Sequence, residues 1–308
     1  MIWLKRNILS LSVTDKLVLW VLRFGAVIAA LVMLLILIFL LAESWPALIQ
    51  ITPTRFLTDA SWHPLELAYN LAPMFSGTLL ASVGALVLAI PLGLASALFI
   101  VFYASAQITT SYRRLIELLA GIPSVVFGFW GLTTLVPLIT QLHPPGASLL
   151  AAILILTLMI LPTITLTAFS ALQAVPNEFL HGAKALGLSH WGMIYGVALP
   201  AARIGIVSGI MLAAGRAIGE TMAVLMVAGN VVQHPASLFD PIRTLAANIA
   251  LEMAYAMGDH RAVLFVTGLL LMLLVIILAV AADWLRKTSR ELCTVRIKFG
   301  SINGRIIF

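Results

Sequence analysis

Six stretches of this chain are apolar for long enough to cross a bilayer as helices. A hydrocarbon core about 30 Å thick takes roughly 20 residues at the helical rise. Between Arg23 and Glu43 lie 19 residues, almost all aliphatic. No Asp, Glu, Lys or Arg occurs from Leu67 to Tyr112, which accommodates a long span near 72–102 and a polar loop. From Leu118 to Asn177 these charges are missing again. Gln141-Leu142-His143-Pro144-Pro145-Gly146 interrupts that second run, so it predicts two spans, near 115–139 and 148–173. A fifth span is expected over 203–230, and a sixth between Arg261 and Asp283. None alternates polar with apolar residues at a period of two, as a barrel strand would. Pro91, Pro123 and Pro162 fall inside spans and predict kinks.

Composition agrees with lipid as the solvent. The 308 residues are 62% hydrophobic and only 10% charged, with a mean hydropathy of +1.10. Soluble domains run nearer half apolar and a quarter charged. A soluble enzyme, a disordered chain and a disulfide scaffold are thereby excluded. The single cysteine, Cys293, excludes an internal disulfide and a cysteine-based metal site. The first apolar stretch is too long for a cleaved signal and no small-residue cleavage site follows, so it is expected to stay as a helix.

The net charge of +6 changes meaning once its distribution is seen. Thirteen cations fall on one side of the six spans, before the first, after the second, after the fourth and after the sixth. Arg55, Arg243 and Arg261 alone fall on the other. Positive charge is retained inside, so both termini are expected to be cytoplasmic. The basic balance is then a topology signal, and no nucleic-acid partner is expected. The organisation expected is a cytoplasmic N-terminus over 1–16, a six-helix membrane domain over 17–285 with a cytoplasmic loop at 175–200, and a basic cytoplasmic tail over 286–308. That tail suits either a segment lying on anionic lipid or a short hairpin turning at Asn303-Gly304.

The loop between spans four and five carries the clearest soluble pattern. Pro176 suits the first turn of a helix, Glu178 its positive end and Gly187 its stop. Phe179, Ala183 and Leu186 recur at helical spacing. Such a short amphipathic helix either lies on lipid or docks a cytoplasmic protein. The segment resembles the coupling motif of ABC importer permeases: Glu-Ala-Ala, three residues, Gly, nine residues, Ile, one residue, Leu-Pro. Here the pattern falls on His181-Gly182-Ala183, Gly187, Val197 and Leu199-Pro200, with the spacing kept and the Glu and first Ala replaced. Further blocks are similar to the permeases of phosphate importers. They run from Leu118 to Gly131, from Gly215 to Val224 with Gly229-Asn230, and from Arg243 to Met253, the last being of the PstC rather than the PstA type. The resemblance covers about 20–285. It implies an all-α, six-helix type I importer permease whose helix at 176–190 fits a groove of an ATPase subunit. It also implies a second PstA-like permease, two PstB-like ATPases and a PstS-like periplasmic phosphate-binding protein, in the bacterial cytoplasmic (inner) membrane. The coupling residues are then Glu178, Phe179, His181, Gly182, Ala183, Leu186, Gly187 and Pro200. Molybdate or sulfate permeases share the motif and are the near alternative, and an ion-coupled carrier working alone is the distant one.

Arg216 and Glu220 are four residues apart and predict one face of span five. A charge at mid-bilayer costs at least about 2.5–3.5 kcal/mol on insertion scales. Either the two neutralise each other and orient the helix, or Arg216 meets a passing anion with its forked donors while Glu220 positions it. Gly205 and Gly209, like Gly215 and Gly219, are spaced for close helix contact. They predict span five against a second span five across a subunit interface, or packing within one bundle. Glu117 is expected to start span three and pair with Arg113 or Arg114. The acids of the outer loops, 43–70 and 231–261, suit docking of a binding protein or a solvated rim. Six scattered histidines lack metal-ligand spacing. No phosphate-binding Gly-x4-Gly-Lys-Ser/Thr loop occurs, so no cofactor is expected and ATP hydrolysis is left to another subunit.

Overall fold

The structure, a computed structural model, describes residues 13–302 except residue 53. Its helices run α1 (Val13–Gln50), α2 (Arg55–Thr58), then a hairpin of β1 (Trp62–His63) and β2 (Ala68–Tyr69) around a 3-10 turn, Pro64–Glu66. There follow α3 (Ala72–Phe102), α4 (Ala106–Gly121), α5 (Ser124–Trp130), a π turn at Gly131–Leu135 and α6 (Val136–Leu142). The chain continues with α7 (Leu149–Gln173), α8 (Asn177–Ala185), α9 (His190–Met193), a second π turn at Ile194–Ala198 and α10 (Leu199–Ile218). It closes with α11 (Met222–Val227), α12 (Leu245–Glu252) and α13 (Gly258–Ile302). Six units are long and apolar enough to span: Leu17–Gln50, Ala72–Phe102, Ser124–Leu142, Leu149–Gln173, His190–Ile218 and Gly258–Trp284.

The centre of the bundle is α3 against α7. Gly77, Ala81, Ala85, Ala89, Gly93 and Ala97 recur every four residues on α3, and all are buried. This small-residue stripe lets α7, with its larger Ile153 and Ile164, approach closely. A Cβ added at Gly93 would lie 2.8 Å from Ile164 Cγ2, and one at Gly84 2.5 Å from Ile153 Cδ1. In lipid the gain from this fit is close van der Waals contact, because hydrocarbon tails offer the helices no hydrophobic contrast. α1 stays outside and meets α13 through an edge-on Phe39–Phe265 pair at 5.6 Å.

α10 packs antiparallel to α7 within the same chain. A Cβ at Gly205 would lie 2.5 Å from Ala171 Cβ, and one at Gly209 would strike Thr167. This corrects the expectation that Gly205 and Gly209 serve a subunit interface: their close contact is internal. Gly215 instead faces α13, where an added Cβ would lie 3.9 Å from Leu278 Cδ2. The α10–α7 register, continued, brings Arg216 level with residue 160, at the middle of α7.

Two spans begin or end elsewhere than expected. The third does not run from 115. Residues before a proline avoid the helical region, and Ile122 is extended (φ −69°, ψ 128°), so α4 stops there and the span restarts at Ser124. α4 is a separate amphipathic helix bearing Glu117, whose carboxylate accepts from Arg113 Nε at 2.8 Å as anticipated. Arg113 also lies over Phe169 of α7, 5.4 Å from its centroid. The fifth span starts earlier, at His190, and ends at Ile218 rather than 230. Pro91 and Pro162, in contrast, are carried within unbroken helices. α13 runs on into the basic tail as far as Ile302, which removes the hairpin alternative over 295–302. Asn303-Gly304 lies outside the described residues.

Candidate translocation site and coupling surface

Arg216 occupies the last turn of α10. Gly219, Glu220 and Thr221 then break the helix before α11. The Glu220 carboxylate accepts from the Ala223 amide at 3.1 Å, capping an otherwise unsatisfied N–H of the new helix. This corrects the expected pairing. Glu220 is turned to α11, and among the described residues no ion pair or hydrogen bond engages the Arg216 guanidinium. A helix stop that nobody could infer from four-residue spacing separates the two groups. What results is a half-buried, uncompensated cation beside a break at mid-depth, an arrangement suited to a passing anion.

α11 is packed tightly into the same zone. A Cβ at Gly128 of α5 would lie 2.8 Å from Ala223 Cα, and one at Gly131 2.8 Å from both Ile155 and Val227. The restarted third span and the short helix after the break of the fifth therefore touch through glycine. Both helices start directly after a break and run side by side in parallel, Gly128 beside Ala223 and Gly131 beside Val227.

The loop between spans four and five folds as α8. Pro176 precedes the helix as its cap (φ −57°, ψ 132°), one position earlier than its expected place in the first turn. Glu178 is in the first turn. Gly187 takes φ +75°, and Leu188 and Gly187 donate to Ala183 and Lys184 carbonyls at 3.2 and 3.0 Å. That 6→1 and 5→2 pair is the Schellman stop, as Gly187 predicted. The expected single face divides in two. Ala183 is buried on the bundle, whereas Phe179 (54% exposed) and Leu186 (83%) face away, with Glu178, His181, Gly182, Gly187 and Pro200 also exposed. Next to them Trp191 stacks on Tyr195 at 5.5 Å, and His190 meets Tyr103 edge-on at 5.0 Å. Phe179, Pro200 and Arg203 line a groove of about 360 Å³ with Ala171 and Ala174.

At the end of the bundle away from α8 lies a cluster that sequence reasoning missed. Glu252 is buried and accepts from Arg243 Nη1 at 2.6 Å and from Trp62 Nε1 at 2.9 Å. His260 Nε2 is 2.8 Å from Oε2, the same oxygen that takes the Trp62 bond, while Arg243 holds Oε1. By sequence Glu252 is expected in a solvated or docking rim, and Arg243 has no part in it. They are nine residues apart with no helical or strand period to link them, and only the fold brings Trp62 and His260 to join them. The Glu252 charge and burial raise the nearby Tyr255 phenol above its usual value, burial being the larger cause. Asp59 is held below the ordinary carboxylate range, first by the Tyr69 amide and then by Arg55. Glu43 belongs to α1 rather than to a loop.

The family model for binding-protein-dependent transport system inner membrane components matches residues 89–291. The chain belongs to that family. It is 38% identical over 266 residues to the phosphate transport system permease protein PstC of Mesorhizobium japonicum, covering 79% of this chain and 81% of that one. To PstC of Pasteurella multocida it is 33% identical over 273 residues, covering 82% and 85%. Among solved structures it resembles the inward-facing MetNI methionine ABC transporter, with a TM-score of 0.56 at 18% identity, covering 69% of this chain and 93% of that one. A bacterial ABC transporter for alginate import gives 0.56 at 14% identity, covering 89% and 99%. These two likenesses bear out the type I importer permease fold. The PstC-type resemblance read from the residue blocks is borne out too. A binding-protein-dependent permease is a multi-pass inner membrane component, not an enzyme, and works with an ATPase and a binding protein of an ABC system.

Proposed function

We propose that this permease is the PstC-like subunit of an ATP-driven importer of inorganic phosphate. Arg216 carries the reading: a mid-depth guanidinium without an ionic partner among the described residues, beside a break in the fifth span. Guanidinium forks onto phosphate oxygens, and an unpaired one need not be stripped from a carboxylate first. Weak holding suits passage, because a site that binds tightly would not release inward. The phosphate-transport names of the relatives support the same cargo.

In this reading a PstS-like protein delivers phosphate at the outer face, where the cluster around Glu252 lies. A PstA-like permease completes the pathway. Two PstB-like ATPases hydrolyse ATP below, and α8 passes their movement to the spans through Glu178, Phe179, His181, Gly182, Ala183, Leu186, Gly187 and Pro200. Both termini and the basic tail are cytoplasmic, with the cation asymmetry as support. Glu220 sets the start of α11 rather than holding Arg216 between transport events.

Arg216→Gln tests this directly. Each hydrogen bond to a charged group contributes about 1.5–3 kcal/mol, so phosphate uptake should fall roughly ten- to a hundred-fold. Assembly with the partner subunits should be unchanged. Full uptake by the variant sinks the reading. Competition by sulfate and molybdate in the same assay separates phosphate from the other oxyanions.

A further inference from the structure

Glu252 joins three elements of the outer face at one buried carboxylate, whose side chain is 8% exposed. Trp62 comes from the hairpin, Arg243 from the segment before α12, and His260 from the first turn of α13. One cation would be enough to neutralise the charge. Three donors from three directions fix geometry as well.

The contact extends inward through Arg243. Its Nε donates to the Asn230 carbonyl at 2.9 Å, and its Nη1 also donates to Asn248 Oδ1 at 3.1 Å. Asn230 stands at φ +57° and its Nδ2 donates to the Leu225 carbonyl at 2.8 Å, satisfying the end of α11. The Ile242 amide donates to the Ala228 carbonyl at 2.9 Å, fastening the same turn to the strand of chain that leads to Arg243. At the opposite end, α11 is held by Glu220. A helix of six residues is too short to hold itself. Its position is therefore set by its packing on α5 and by these two end attachments.

We infer that Glu252 is a positioning residue for transport. Through Arg243 and Asn230 it sets α11, and so the Glu220 break beside Arg216, in register with the outer hairpin and the head of the last span. The inference rests on the proposed role of Arg216, and its test can fail separately from that role. A merely structural Glu252 would change the amount of assembled importer and nothing else.

The test uses the complete importer in proteoliposomes with its binding protein, in a Cys293→Ser background carrying Met222→Cys at the exposed start of α11. Glu252→Gln keeps the shape and removes the charge. Thiol labelling at position 222 should accelerate at least threefold. Maximal uptake per assembled complex should fall at least fivefold, with the half-saturating binding-protein concentration unchanged. Arg243→Lys, which keeps a cation but loses the fork between Glu252 and Asn230, should do the same. Unchanged labelling overturns the inference, as does unchanged uptake per complex. A rise only in the half-saturating concentration also overturns it, making Glu252 a docking contact. If neither variant assembles, the role is structural and the inference falls. Run alongside, an Arg216→Gln importer that transports fully would remove the Arg216 reading, while the labelling at 222 still decides whether Glu252 positions α11.

Discussion

Single residues in this permease act through what surrounds them more than through their type. Gly209 and Gly187 are both glycines with opposite reasons. At Gly209 a side chain would strike Thr167, so Gly209→Val should cost about 1–3 kcal/mol by overpacking. A thermal midpoint equal to the parent's would contradict the internal packing of α10. At Gly187 nothing lies within 4 Å, and the constraint is φ +75°. Gly187→Ala should cost about 1–2 kcal/mol through the left-handed backbone alone, read as weaker retention of the ATPase on purification. Asp59 adds a pH dependence. Its folded pKa lies below 3.8, chiefly because the Tyr69 amide donates to the carboxylate at 2.9 Å. A carboxyl depressed in this way stabilises fully above its unfolded pKa and loses that contribution as pH falls through the folded one. Asp59→Asn should therefore speed hydrogen exchange in the hairpin at neutral pH. The difference from the parent should close as the pH is taken below 3.8; a difference independent of pH would exclude the carboxylate as its source.

At the scale of elements, α8 decides between classes of transporter. It buries Ala183 on the bundle and leaves Phe179 and Leu186 bare, which is half of an interface. An ion-coupled carrier has no use for such a helix. Deleting 178–190 should abolish phosphate uptake and ATPase association together, whereas retained uptake would favour the lone carrier. The two broken spans make a different point. A proline at 123 announced a kink, and the structure makes it a full stop with a restart. The break at 219–221 had no comparable marker, because glycine, glutamate and threonine each occur within helices. It forms where α11 meets the Gly128 face of α5.

For the whole molecule, orientation and packing have separate causes. Thirteen cations on one side of the spans predict an orientation with both termini cytoplasmic. In a Cys293→Ser background, Leu65→Cys should react with an impermeant reagent applied outside, and Leu186→Cys only after permeabilisation; both side chains are exposed. The reverse pattern would invert the topology. Six spans, the helix between the fourth and fifth with its stop, and the candidacy of Arg216 were legible in the sequence, since each depends on local composition or spacing within about one helical turn. Hydropathy needs no partner to be read, and neither does a glycine stop.

Tertiary structure decided what depends on residues distant in the chain. It turned Glu220 away from Arg216, because backbone amides at a new helix start compete for the carboxylate. It set Gly205 and Gly209 against α7 rather than another subunit, because steric fit belongs to both surfaces. It gathered Arg243, His260 and, from 190 residues away, Trp62 around the one buried charge of Glu252, which only such partners make tolerable. The sequence by itself determined which segments are apolar enough to enter lipid, because transfer to lipid is a property of each segment alone. Which scarce polar groups meet inside depended on packing, where a partner's position matters as much as its identity.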